Sequence, residues 1–341
     1  VKLQTPRWWY VRSGAPAPVS RMLLRPISAL WAAQTARRIA AATPVDPGAP
    51  VICVGGVTMG GSGKTPVAQA LLARLVARGL RPAAVSRGYG GRLTGPVRID
   101  PAVHTAAEVG DEPLMLARIA PAYAAKDRAA GARRAVEDGA DVVVLDDGHQ
   151  NPTLRKALSF VVVDGDTRER EWPFGDGAVF PSGPMREPLK AGLARADAVV
   201  VMLPGDLDAA DPELLALFGD KPVLIARLEP TEPPPPGPQV GFAGVAKPWK
   251  VERALRANGC DLVEFVEFPD HAPFSEAVLH DLARLAEDHG AGLVTTEKDW
   301  VRIPPAWRDR VRSWPVRARF EDEAALERVL ARLSSPSGGG S

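Results

Sequence analysis

The sequence predicts an α/β fold: a P-loop NTPase-type doubly wound sheet, a second and smaller α/β domain, and an N-terminal amphipathic helix at a membrane surface. Three observations carry the expectation. The apolar run Val51–Val54 enters a glycine-rich loop ending in Lys64 and Thr65, then an apolar-periodic stretch through Leu71, Leu72, Leu75 and Val76. A second apolar run after Asp141 ends in Asp146-Asp147-Gly148. Further short apolar runs near 160–164, 198–202 and 222–227 alternate with helical stretches at 189–195 and 212–218, the pattern of a doubly wound sheet.

The chain opens with a basic arm, residues 1–45. It holds seven Lys and Arg before the first acid, Asp46, whereas the other residues sum to −6 and the 341-residue total to only +1. The small total argues against a nucleic-acid binder, and the asymmetry points to an anionic partner for the arm. On a helical wheel Leu23, Ile27, Leu30 and Trp31 share a face with Arg21 and Arg25 opposite, and Trp8, Trp9 and Tyr10 add interfacial aromatics. Such a helix suits the plane of an anionic membrane. A transit peptide or a plain packed helix has the same composition. Pro26 is expected to kink or split it.

Next comes the phosphate loop. Gly60, Gly61, Ser62 and Gly63 free backbone N–H groups to wrap phosphates, Lys64 reaches the outer phosphates, and the Thr65 hydroxyl suits Mg²⁺. Thr58 stands where the strict pattern has its first glycine, and Pro66 excludes a dinucleotide loop. Asp146 and Asp147, at a strand's carboxyl end, are candidate Mg²⁺-organising acids. Ala83–Ser86 runs into Arg87-Gly88-Tyr89-Gly90-Gly91-Arg92, either a clamp for phosphate or sugar or a tight solvated turn. Asp111 and Glu112 open a helix, where favourable interaction with the helix dipole alone explains acids.

The domains are expected at 46–229 and 239–333, split by the proline-rich stretch 230–238 and followed by a flexible tail at 334–341. Cys53 and Cys260 read as reduced thiols. No run reaches the roughly 18 apolar residues of a spanning helix.

Taken together, GGVTMGGSGKTP, SRGYGGR, VGDEPLMLA, DDGHQ, PSGPMREP, FAGVAKP, FPDHAPF and TTEKDWVR resemble, in order across about residues 51–302, the tetraacyldisaccharide 4'-kinases, which are lipid A 4'-kinases. The resemblance implies ATP- and Mg²⁺-dependent phosphorylation of an acylated disaccharide 1-phosphate at the cytoplasmic face of the bacterial inner membrane. It makes Asp111 the base and His271 its partner, with Lys64, Thr65, Asp146 and Asp147 handling phosphate and metal. Arg87, Tyr89, Arg128, His149, Arg186 and Glu187 are further candidates for substrate contact. Gly56 and DDGHQNP depart from the commoner forms, Asn and DDGLQHY, which leaves the lipid contacts less defined than those to ATP. The rival reading is a P-loop ATPase switch of the partitioning type. Those proteins usually carry Lys where Met59 stands, and commonly a C-terminal membrane helix.

Overall fold

A computed structural model of the protein describes residues 6–12 and 18–333, so Lys2 of the arm and the expected tail at 334–341 lie outside the described residues. Among the described residues, thirteen strands make two sheets. The larger contains β1 (Val51–Gly55), β2 (Pro82–Ser86), β3 (Val97–Arg98), β4 (Ala122–Ala124), β5 (Val142–Asp146), β6 (Leu158–Asp164), β7 (Ala198–Pro204) and β8 (Val223–Pro230). The smaller contains β9 (Gln239–Ala243), β10 (Leu262–Glu267), β11 (Gly292–Thr296) and β12 (Val311–Trp314), in the order β10-β9-β11-β12. A last strand, β13 (Val316–Phe320), rejoins the larger sheet, giving β13-β8-β7-β6-β1-β5-β2-β4-β3.

The larger sheet is parallel apart from its edge pairs β3–β4 and β13–β8. Its central strands are apolar on both faces and fully buried, as a sheet covered by helices on each side requires. β1 lies between β5 and β6, with successive connections leaving to opposite sides. That is the crevice at which open α/β sheets bind ligands, and both the glycine loop and Asp146 open onto it.

The expected C-terminal boundary needs correction. The smaller sheet ends at Trp314. Val316–Phe320 pairs antiparallel with β8, and the helix Glu323–Leu330 buries Leu326, Val329 and Leu330 in the main core, instead of extending a second domain to 333. The helix that follows the glycine loop anchors this return through Arg74, which pairs with Glu323 and Glu327. The two units are therefore joined by two chain crossings, one before β9 and one after β12.

Within the arm, the expected helix is continuous as α1 (Pro18–Ala40), with Pro26 inside it on the exposed side. The expected split does not occur. Its orientation is inverted relative to an ordinary surface helix: Ser28 and Thr35 are buried against the body, while Leu23 (68% exposed), Leu30 (71%), Val19, Met22 and Ile27 face outward. Arg21, expected on lipid head groups, is instead taken up by the body, pairing with Asp176 and donating to the Ser182 carbonyl at 3.2 Å. Arg25 is exposed and has no partner among the described residues. No described helix is long and apolar enough to cross a membrane.

Candidate active site

The glycine loop leaves β1 and closes on α2 (Lys64–Ala77). Gly60, Gly61 and Gly63 all take positive φ, the left-handed region that side chains avoid. A Cβ on Gly63 would also sit 3.0 Å from Met202. This is why glycine recurs here: the loop must curl its amides inward while packed against β7. Thr58, at the irregular position, is buried and makes a bridge with Met185.

Thr65, in the first turn of α2, donates its hydroxyl to Asp146 Oδ2 at 3.2 Å. The other carboxylate oxygen, Asp146 Oδ1, is buried without a partner among the described residues. Burial, then repulsion from Glu112 and Asp147, pushes the Asp146 pKa up to about 7. A cation would relieve all three. An orphaned carboxylate oxygen beside a threonine hydroxyl, with a phosphate loop adjoining, is a donor set that fits Mg²⁺.

Asp147 differs from Asp146 in its partners. It takes positive φ (51°), and Arg186 clasps both its oxygens at 2.6 and 2.9 Å, with Lys64 Nζ at 3.9 Å. Burial alone would raise its pKa, but Arg186 and Lys64 outweigh burial and hold it well below the usual carboxylate range. Its charge is already matched by two cations. The geometry makes Asp147 an anchor for Arg186 and Lys64.

Asp111 begins a short helix, α4 (Asp111–Leu116), which follows α3 (Ala106–Val109) through Gly110. A Cβ on Gly110 would come within 2.8 Å of the Tyr89 carbonyl, and one on Gly91 within 2.7 Å of the Glu108 carbonyl. The SRGYGGR and VGDEP loops thus meet backbone to backbone, which explains their glycines and brings Tyr89 beside Asp111. The smaller unit supplies the rest. His271, in the turn after β10 with φ 57°, presents Nδ1 at 2.9 Å from Asp111 Oδ2, and its ring lies 5.0 Å from that of Tyr89. Lys298 Nζ reaches Glu112 at 3.2 Å, Asp270 at 3.6 Å and Asp111 at 4.0 Å, and Arg302 lies 3.7 Å from Asp111. Burial opposes ionisation of Asp111, but Lys298, His271 and Arg302 together hold its pKa well below the usual range. Asp111, Glu112 and His271 offer ligand atoms within 4.8 Å of one another, yet these two cations already supply the positive charge there.

Glu112, Lys298 and Arg302 were absent from the sequence-derived candidates. Their signal was present, since all three lie inside VGDEP and TTEKDWVR, but charged residues next to a motif's named residue look like solvated surface until the fold buries them.

The remaining candidates divide. Arg87 and Tyr89 are exposed on the glycine-rich turn, and Arg128 is half-buried, with its pKa lowered by burial and by neighbouring Arg87. These form a basic rim. His149 and Glu187 do not face the site, a correction to their expected contact with substrate. His149 is buried with Nδ1 3.1 Å from Ser159 Oγ and Nε2 2.9 Å from the Gly192 carbonyl, and burial pushes its pKa down to about 4. Glu187 is buried in contact with Arg195 and Gln150 at 2.6 and 2.8 Å. Both Cys53 and Cys260 are free and buried.

Comparison with known proteins bears on this arrangement directly. The tetraacyldisaccharide-1-P 4'-kinase family matches residues 20–334. The chain belongs to that family. It is 67% identical over 330 residues to tetraacyldisaccharide 4'-kinase of Caulobacter vibrioides (strain NA1000 / CB15N), covering 97% of this chain and 98% of that one. It is 65% identical over 333 residues to the enzyme of that name from Phenylobacterium zucineum (strain HLK1), covering 98% and 100%. Among solved structures it resembles the "apo" form of LpxK from Aquifex aeolicus in complex with ATP. The TM-score is 0.73 at 25% identity, covering 92% of this chain and 99% of that one. The family is one of lipid A kinases, and the partitioning-type ATPase reading is not favoured.

Proposed function

We propose that this protein transfers the γ-phosphoryl group of ATP to the 4'-hydroxyl of a tetraacyldisaccharide 1-phosphate, with the family name in support. The observation that carries the chemistry is the pairing of Asp111 and His271 beside a phosphate loop: an ionised buried carboxylate next to the lysine and threonine of a nucleotide site.

In this reading the loop amides at 60–63 and Lys64 hold the β- and γ-phosphates. Thr65 and Asp146 would hold Mg²⁺, which supplies charge neutralisation on the phosphates when bound. Asp111 accepts the proton of the 4'-hydroxyl as that oxygen attacks phosphorus, and ADP departs. Because Lys298 and Arg302 depress its pKa, Asp111 is ionised at neutral pH, so the site relies on position more than on basicity. His271 orients the carboxylate through the 2.9 Å contact and can receive the proton. Arg87, Tyr89 and Arg128 are suited to the sugar and its 1-phosphate. Since His271 and Asp111 sit on different units, movement of the smaller unit would assemble or separate the pair.

The outward apolar face of α1 supports peripheral attachment to an anionic membrane, with the cytoplasmic face of the inner membrane as the expected location. The deciding assay supplies labelled ATP and tetraacyldisaccharide 1-phosphate in mixed micelles. Labelled phosphate at the 4'-position is expected, and ATP hydrolysis without lipid product would overturn the proposal.

A further inference from the structure

The segment 180–186 lies as a strap between the arm and the nucleotide loop, and its contacts run to both. Toward the loop, Met59 N–H donates to the Pro184 carbonyl at 2.8 Å, and Arg186 N–H donates to the Val57 carbonyl at 2.8 Å. The same Arg186 extends its guanidinium onto Asp147, the anchor for Lys64. Toward the arm, Ser182 N–H donates to Ser28 Oγ at 3.1 Å, with the two buried hydroxyls 2.8 Å apart. Trp31 Nε1–H donates to the Arg186 carbonyl at 3.2 Å, and its ring packs 5.0 Å from Phe180. The residues before α1 add a second tie, since Tyr10 is buried and donates its hydroxyl to the Met59 carbonyl at 2.6 Å.

We propose that Ser28 and Trp31 are positioning residues for the nucleotide site: by gripping the strap, they hold the phosphate loop and the Arg186–Asp147 clasp in register, so that seating of the arm and binding of ATP favour one another. The physical basis is a short run of packed backbone. Arg186 alone is bonded through its carbonyl to the arm, through its amide to Val57 and through its side chain to Asp147. A displacement of α1 therefore moves the groups that meet phosphate, and by linkage a ligand that orders those groups tightens the hold on α1. The inference rests on the reading that ATP binds this loop.

The test uses the full chain and two variants. Ser28→Ala removes the hydroxyl that meets both the Ser182 N–H and the Ser182 hydroxyl, and Trp31→Phe removes one hydrogen bond while keeping a ring against Phe180. Each should weaken ATP binding by about 5-fold, the scale of one lost hydrogen bond of about 1 kcal/mol, and raise KM for ATP with little change in KM for the lipid. In the unmodified chain, AMP-PNP with Mg²⁺ should slow amide exchange at 180–186 and at 28–35, a measurement that needs no variant. ATP affinity within twofold of the unmodified chain in both variants would overturn the inference, as would slowed exchange confined to 56–65. An unmodified chain that binds no nucleotide would instead overturn the kinase reading along with it.

Discussion

Replacing Lys298 with methionine tests the electrostatic account of the proposed base. Lys298 Nζ lies 4.0 Å from Asp111 Oδ2, and at an effective dielectric of about 20 a pair at that distance interacts by roughly 4 kcal/mol, or about 3 pH units. Two corrections reduce that figure. The lysine side chain is 23% exposed, so water screens part of the field, and Arg302 and His271 remain in place to favour the ionised carboxylate. A rise of about 1–2 units in the Asp111 pKa is the expected residue of these effects. The sign follows from the mechanism: Asp111 must be ionised to accept a proton, so a raised pKa moves the acid limb of kcat/KM upward by the same 1–2 units. The profile should be recorded at saturating Mg²⁺, so that titration of Asp146 near 7 does not mask the Asp111 limb at lower pH. Lys298→Met also leaves Glu112 and Asp270 without their cation, costing about 2 kcal/mol of stability, which urea denaturation would register. A loss of rate that is uniform across pH, with the acid limb unmoved, would refute the reasoning and leave Lys298 a purely structural ion-pair partner.

Other outcomes are open to direct measurement. Asp111→Asn keeps the shape but removes the proton acceptor, and should lower kcat by about 10²–10⁴-fold while ATP affinity, read by calorimetry, stays within about threefold. The neutral core His149 makes the fold sensitive to acid. Its pKa is near 4 folded against about 6.5 unfolded, so the unfolded state binds the extra proton and stability falls by up to about 3 kcal/mol as pH drops through that window. Asp146, raised to about 7, contributes with the opposite sign between about pH 7 and 4 when no metal is bound, so the measurable quantity is the difference between the unmodified chain and His149→Gln. That difference should shrink steadily from pH 7 to pH 4 in urea titrations. Leu23→Gln together with Leu30→Gln removes two exposed leucines from α1 and should weaken co-sedimentation with anionic vesicles by about 10-fold or more. Unchanged co-sedimentation would rule out this face as the attachment surface.

Much of the molecule is legible in the sequence because its signals are local. A glycine loop between an apolar run and Lys64-Thr65 needs only backbone freedom and adjacent residues to declare itself, and β1, α2, β5 and the paired aspartates follow from period and composition. The arm's basic charge and apolar face are likewise a matter of counting along one helix. What the sequence could not supply is which charges end up matched. Asp146 and Asp147 are neighbours of one type, yet positive φ at Asp147 turns it onto Arg186, whereas Asp146 meets Thr65 and keeps an orphaned oxygen. His149 and His271 are both single histidines in loop motifs. Burial between Ser159 and Gly192 makes one a core residue, and a contact across 160 positions of sequence gives the other its carboxylate partner. The return of β13 to the larger sheet is similarly long-range. Elements and loop chemistry are fixed by interactions within a few residues, and the sequence by itself determines them. Protonation, pairing and the outward or inward sense of α1 depend on burial and on distant partners, and only the tertiary structure decides those.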